Sequence, residues 1–230
     1  MSVLLAQRDG EVLVLTLNRP DQANAMNEAV HDEFVAQLAR AREDDGIGAV
    51  VLAAAGERTF SAGADLKEFA ELERTCAASK RRALLMRTLV AAIEFPKPLV
   101  AAVHAKALGA GCMLALLADE VIMSDSAQFG MPEIRHGIPT PIGIVILAAR
   151  GGMAVARQMV QRGEPADAKR ALECGIADEI TLAGRTQDRA LERARALAQL
   201  PGAAFRPNKH FLNKTLRSAL DEAVAQADRL

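Results

Sequence analysis

Two runs of small residues, Ser61-Ala-Gly-Ala-Asp-Leu66 and Ala107-Leu-Gly-Ala-Gly-Cys112, mark where the backbone of this chain is open to chemistry. Small side chains let a ligand approach the main chain closely, and a helix beginning there leaves its first N–H groups unpaired. Two such donors aimed at one oxygen make an oxyanion hole, which stabilises negative charge developing on a carbonyl. Taken singly, either run is better explained by close helix–strand packing. Together, and with what lies between them, they point to an enzyme acting on an acyl thioester.

The segment Phe129-Gly-Met-Pro-Glu-Ile134 adds a titratable group. A partly desolvated Glu133 has a raised pKa and suits a proton shuttle. Read alone, Glu133 caps a helix or pairs with Arg135. His136 follows three residues later, close enough on a helical turn to tune Glu133, although a loop histidine at the surface is the commoner case. His104 precedes the second small-residue run and reads as a residue that bonds the backbone.

Composition narrows the field. The chain has 230 residues, enough for a substantial core in one large domain or two small ones. Its formal net charge is −1, so no basic field draws nucleic acid or an anionic membrane. It has no Trp or Tyr, which leaves few platforms for stacking bases. Cys76, Cys112 and Cys174 are odd in number and widely spaced, with neither a metal-ligand pattern nor a disulfide framework; Cys112 reads as core packing. No secretory signal pattern opens the chain, and the strongly apolar run Ala107–Ala118 is shorter than a membrane span. A cytoplasmic protein is the expectation.

The elements that must position these residues follow from periodicity. Val12-Leu-Val-Leu-Thr-Leu17 predicts a strand, and 27–42 a helix capped by Asn27, with Val30, Phe34, Val35 and Leu38 on one face. Residues 48–54 form a buried strand. A helix over 83–95 is stopped by Pro96 and Pro98. Strand 99–103 leads into the Gly109 turn and a helix, apolar nearly all round, that belongs at the centre of the fold. A short strand at 120–124 precedes helices near 141–150, 152–162, 167–175, 187–200 and 207–228. Strand-strand-helix units at regular intervals suggest a coiled α/β architecture, with 1–185 as its core and 186–230 as a helical C-terminal region.

This ordered set resembles the crotonase superfamily, which includes enoyl-CoA hydratases and isomerases. The resemblance runs from Asn18-Arg-Pro20 and Asn24-Ala-Met-Asn27 through Ser61–Leu66, Lys97-Pro-Leu-Val-Ala-Ala-Val103, Ala107–Cys112 and Ala127-Gln-Phe-Gly-Met-Pro-Glu133 to Gly175-Ile-Ala-Asp178. It implies a spiral of ββα units, a coenzyme A thioester as substrate, no separate cofactor or metal, and a homotrimer or hexamer. It also implies that the N–H groups of Ala64 and Ala110 hold the thioester oxygen while Glu133 transfers the proton. Ala25, Ala62, Asp65, Leu66, Leu108 and Pro132 match substrate-binding positions. Asp21 stands where some relatives carry a lysine near the phosphates.

The chain departs from the hydratase pattern at one decisive position. Well-studied hydratases use two glutamates, which share a water between base and acid roles. The second is Glu133, but the first is replaced by Met113. Relatives with one glutamate at this place include double-bond isomerases, so isomerisation is slightly favoured over hydration. Gly137-Ile-Pro-Thr-Pro-Ile-Gly143 resembles the proline-containing loop of some aryl-CoA hydratase-lyases, whose tyrosine this chain lacks. A lyase, a thioester hydrolase or a non-catalytic acyl-CoA-binding subunit are the alternatives. The acyl pocket is expected to draw its walls from residues 70–90 and 136–146. Lys209, Lys214 and Arg217 either meet phosphates or form a solvated helix face.

Overall fold

A computed structural model of the protein describes residues 2–68, 70 and 74–227. The chain opens with a hairpin, β1 (Leu4–Asp9) and β2 (Val12–Leu17), followed by α1 (Glu28–Glu43). The unit β3 (Ala49–Ala54), β4 (Thr59–Ser61) and α2 (Arg74–Ile93) comes next. It is followed by β5 (Leu99–Val103), β6 (Lys106–Leu108) and α3 (Ala110–Leu116). The last full unit is β7 (Glu120–Ser124), β8 (Gln128–Gly130), a 3-10 turn at Pro132–His136, and α4 (Pro141–Ala156). Then come β9 (Ala166–Asp167), α5 (Ala168–Glu173), β10 (Glu179–Thr181), α6 (Thr186–Ala198) and α7 (Gly202–Ala227).

The first strand of each unit joins one sheet and the second strand another. The larger sheet runs β1-β2-β3-β5-β7-β10, parallel except for the β1–β2 pair. The smaller runs β4-β6-β8-β9, with β4, β6 and β8 parallel. This is the coiled ββα arrangement expected of the family resemblance.

Burial on both faces explains why the central strands are apolar runs without alternation. On one face Leu15, Leu17, Val50, Leu52, Leu99, Ala101 and Val103 enter the main core. On the other, Val14, Val51, Val100, Ala102 and Ile122 pack with Ala190 and Ala194 of α6. α7 lies instead across α4 and α2. Every residue of α3 is buried, as its all-round apolarity requires.

Several elements differ from the periodicity reading. β1 was not anticipated: it is an edge strand with only Leu4 buried, so it carries little apolar signal. α2 begins at Arg74, before the expected 83. The apolar stretch that matters for length is Pro141–Gln161, α4 plus a π turn: 21 residues with mean hydropathy 1.3, enough to cross a membrane by length and composition alone. It is interrupted at Gly152 (φ 82°, ψ 164°), which accounts for the two helices expected there, and it packs against α3 and α7.

Candidate active site

Three neighbouring parallel strands end at the three expected segments. β4 runs into Ala62-Gly-Ala64, β6 into Gly109-Ala110, and β8 into Met131-Pro-Glu133. The carboxyl ends of parallel strands, where chains turn towards helices, are a natural place for a ligand crevice. Their spacing is fixed by backbone bonds: Gly109 N–H donates to the Gly130 carbonyl at 2.9 Å, and Met26 N–H to the Gly63 carbonyl at 2.8 Å.

The Ala64 N–H is left free by that pairing. Met26 bonds the atoms on either side of it, accepting from Asp65 N–H at 3.0 Å and donating to Gly63, so the Ala64 N–H faces away from Met26. Ala110 is the first residue of α3, where helix geometry supplies no acceptor. Neither N–H has an acceptor among the described residues. The two loops touch at Gly63 (φ 95°): a Cβ there would lie 3.3 Å from the Ala110 nitrogen and 2.9 Å from the Leu108 carbonyl oxygen. Glycine is the residue that permits this approach.

Glu133 stands on the 3-10 turn beside them. Its Oε2 is buried without a hydrogen-bond partner, and burial pushes its carboxyl above the usual carboxylate range. Its own backbone amide and the charge of His136 oppose that shift. Arg135 does not pair with it; its guanidinium donates to the Gly163 carbonyl at 3.1 Å. A carboxyl with an unpaired oxygen in a cavity wall is available for proton exchange.

A cavity of about 240 Å³ joins these groups. Ala62, Ala64, Leu66, Ala110, Pro132 and Glu133 line it, together with Met113. Ala25, Asp65 and Leu108 do not. The Asp65 side chain is bonded to Arg19 Nη1 at 2.9 Å, and the same guanidinium holds the Ala25 carbonyl. Leu108 packs against Gly130, where a Cβ would lie 2.8 Å from Leu108 Cδ2. All three help to build the loops that frame the cavity.

The remaining wall comes from Ala78, Arg81, Arg82, Leu84 and Leu85 on α2 and from residues 138–142 at the entry to α4, within the expected windows. Thr140 is buried next to Met113: a Cβ on Gly143 would fall 2.9 Å from Thr140 Oγ1 and 3.0 Å from Met113 Cε. The sequence reading passed over His31, Met26 and Ala227, which also line the cavity. A signal for His31 was present, since it lies one turn before Val35 on the apolar stripe of α1. Its Nδ1 is 2.7 Å from Thr88 Oγ1, and burial, aided by Arg87, holds its pKa at about 4. The ring is neutral near pH 7.

Other candidates lie elsewhere. His104 lines a different cavity, and burial lowers its pKa despite the Gly56 backbone. Burial pushes the Cys112 thiol up, which fits packing rather than nucleophilic use. Lys209 is neither solvated nor free for a phosphate: it is buried and paired with Asp119 at 2.5 Å. Arg217 is engaged by Glu94 and Asp221.

Comparison with known proteins identifies the family. The family model described as enoyl-CoA hydratase/isomerase matches residues 7–230. The chain is 38% identical over 231 residues to the 2,3-dehydroadipyl-CoA hydratase of Escherichia coli K12, covering 100% of this chain and 89% of that one. It is 33% identical to a probable enoyl-CoA hydratase of Mycobacterium bovis, covering 99% and 87%. Among solved structures, an enoyl-CoA hydratase from Bacillus anthracis superposes with a TM-score of 0.87 at 28% identity, over 98% of this chain and 89% of that one. With its strand-end loops, buried carboxyl and matched length, the chain belongs to the enoyl-CoA hydratase/isomerase family of the crotonase superfamily.

Proposed function

We propose that this acyl-CoA enzyme moves a double bond along an enoyl thioester, using Glu133 as its single proton carrier. The observation that carries the proposal is the buried, unpartnered Glu133 Oε2 in a cavity that Met113 also lines, where the resemblance to hydratases would call for a second glutamate. Glu133 takes a proton from the carbon beside the thioester of a 3-enoyl-CoA. The electron pair spreads into a dienolate whose oxygen is held by the Ala64 and Ala110 N–H groups. Glu133 then returns the proton two carbons further along, leaving a 2-enoyl-CoA. The raised pKa makes the carboxylate a stronger base for the first half.

Hydration is the second reading. The buried Thr140 hydroxyl beside Met113 offers a water a polar partner where the absent glutamate would have stood. Relatives carrying the hydratase name favour the same reading. In that case water adds across the double bond of a 2-enoyl-CoA, its hydroxyl to the alkene carbon farther from the thioester and a proton to the nearer one, and Glu133 manages that proton with no second carboxylate to share the work.

Incubation with a 3-enoyl-CoA and, separately, with a 2-enoyl-CoA in ¹⁸O-labelled water, beside Glu133→Gln, separates the two. A product of unchanged mass with a shifted double bond, lost in the variant, supports isomerisation. Incorporation of label supports hydration. Turnover that survives in Glu133→Gln would overturn both.

A further inference from the structure

The cavity holds one charge that neither proton transfer nor the fold uses. Arg81 lies in its wall on α2, one turn after Ala78 and one turn before Leu84 and Leu85. These positions share one face of the helix, so the cation sits within the apolar stripe rather than beyond it. Arg81 is only partly exposed, and it makes no ion pair or hydrogen bond among the described residues.

The other titratable groups in the wall each have a partner or a part in the proton transfer. Arg82 has a partner. Both Glu68 carboxylate oxygens accept the Glu28 N–H at the start of α1, at 3.0 and 2.9 Å. His31 is neutral and bonded to Thr88. His136 acts on Glu133. Leu84, Leu85, Ile138, Pro139 and Ile142 give the same wall its apolar surface.

We propose that Arg81 anchors a carboxylate at the end of the acyl chain remote from the thioester, making the site selective for CoA thioesters of unsaturated dicarboxylic acids. This rests on the reading of the cavity as an acyl-CoA site. An acyl chain filling the cavity displaces water from the guanidinium. A methyl-ended chain leaves the charge desolvated and unpaired, which is costly. A carboxylate-ended chain of suitable length gives it a bidentate partner and uses the leucine and isoleucine wall for the intervening methylenes. The alternative anion, a phosphate of the coenzyme itself, is distinguished by the test.

The test compares two 3-enoyl-CoA thioesters of equal chain length, one ending in a carboxylate and one in a methyl group. Wild type is expected to prefer the first. Arg81→Met should lower the ratio of the two kcat/KM values by about ten- to a hundred-fold, the scale of a lost charge-assisted hydrogen bond, with partial recovery in Arg81→Lys. Thioesters of pantetheine, which lack the nucleotide phosphates, should show the same fall. A fall that disappears with pantetheine thioesters assigns Arg81 to a phosphate and overturns the proposal, as does a ratio that Arg81→Met leaves unchanged. Binding of the saturated analogues is measured in parallel by calorimetry. If no thioester is turned over but the diacid thioester still binds more tightly through Arg81, the isomerase reading fails and the anchor stands. Equal binding of the two ends by wild type defeats the anchor whatever the turnover.

Discussion

Gly109 and Glu133 are so close that a Cβ on the glycine would lie 2.8 Å from the Glu133 Oε1. The glycine also sits at φ 51°, ψ −123°, a conformation costly for any other residue. Gly109→Ala therefore has two effects of different size. The flexible carboxyl gives way and leaves its place beside the Ala110 amide. Turnover should fall by about a hundred-fold, the scale of a misplacement of about 1 Å. Stability should fall by only about 1–3 kcal/mol, the scale of a strained backbone position. Steady-state kinetics beside urea unfolding check the pair of values, and a variant that keeps full turnover would break the link drawn between these residues.

Glu133 should cost the protein stability at neutral pH. Its folded pKa is raised from an ordinary value of 4.5, mainly by burial. Below that ordinary value the carboxyl is protonated in both folded and unfolded chains, and no penalty applies. As pH rises from there to the raised folded value, the unfolded chain releases its proton first, so the folded state loses ground; above the folded value the penalty is constant. Glu133→Gln removes this dependence. The variant should melt above wild type at pH 7, with the gap closing as pH falls to about 4, while turnover is lost. A gap that widens on acidification would reverse the assigned direction.

Lys209 and Asp119 form a buried pair that joins α7 to the sheet. Lys209 Nζ donates to Asp119 at 2.5 Å and to the Lys97 carbonyl at 3.0 Å, and Asp119 also accepts the Leu99 N–H at 2.8 Å. Burial lowers the lysine pKa and raises that of the aspartate, each resisted by the other's charge. Removing one member leaves a buried charge alone. Lys209→Met should destabilise by about 3–5 kcal/mol. Adding Asp119→Asn should recover part of that loss, because Asn still accepts the Leu99 N–H. Chemical denaturation of the two variants measures the coupling, and an additive double variant would show the pair to be independent.

What was legible in the sequence depended on how local the deciding interaction is. Leu99–Val103 and Glu120–Ser124 stand where the apolar runs put them, because strands buried on both sides leave little choice of boundary. The three-residue strands β4, β6 and β8 carry too few residues for a period and exist through pairing with one another. Asp65 illustrates the same limit at the site. Its motif was plain, but its side-chain partner Arg19 is remote in sequence, and that ion pair decides that Asp65 supports the loop and does not face the cavity. Lys209 looked like one of several basic residues on a helix until Asp119 was found beneath it.

Met113 offers the sharpest test of how chemistry is divided between one carboxylate and two. It is buried in the cavity wall on α3; its Cε, the Thr140 hydroxyl and the Met131 sulfur lie 3.0, 2.9 and 3.3 Å from where a Gly143 Cβ would stand. Met113→Glu places a second carboxyl there. Two carboxyls sharing a small cavity do not ionise together, so one keeps its proton at neutral pH and the other serves as base. That division allows one group to activate water while the other supplies the proton for the neighbouring carbon. The variant should gain hydration of a 2-enoyl-CoA by about ten- to a hundred-fold, on the lower part of the scale of general acid–base catalysis, and lose some stability from the buried charge. Its rate of double-bond shift should drop, because Glu133 then titrates as half of a pair. The two rates are read from the loss of 2-enoyl absorbance and from product mass in labelled water. An unchanged hydration rate in a folded Met113→Glu variant would mean that the water site is absent altogether, leaving Glu133 to isomerisation alone.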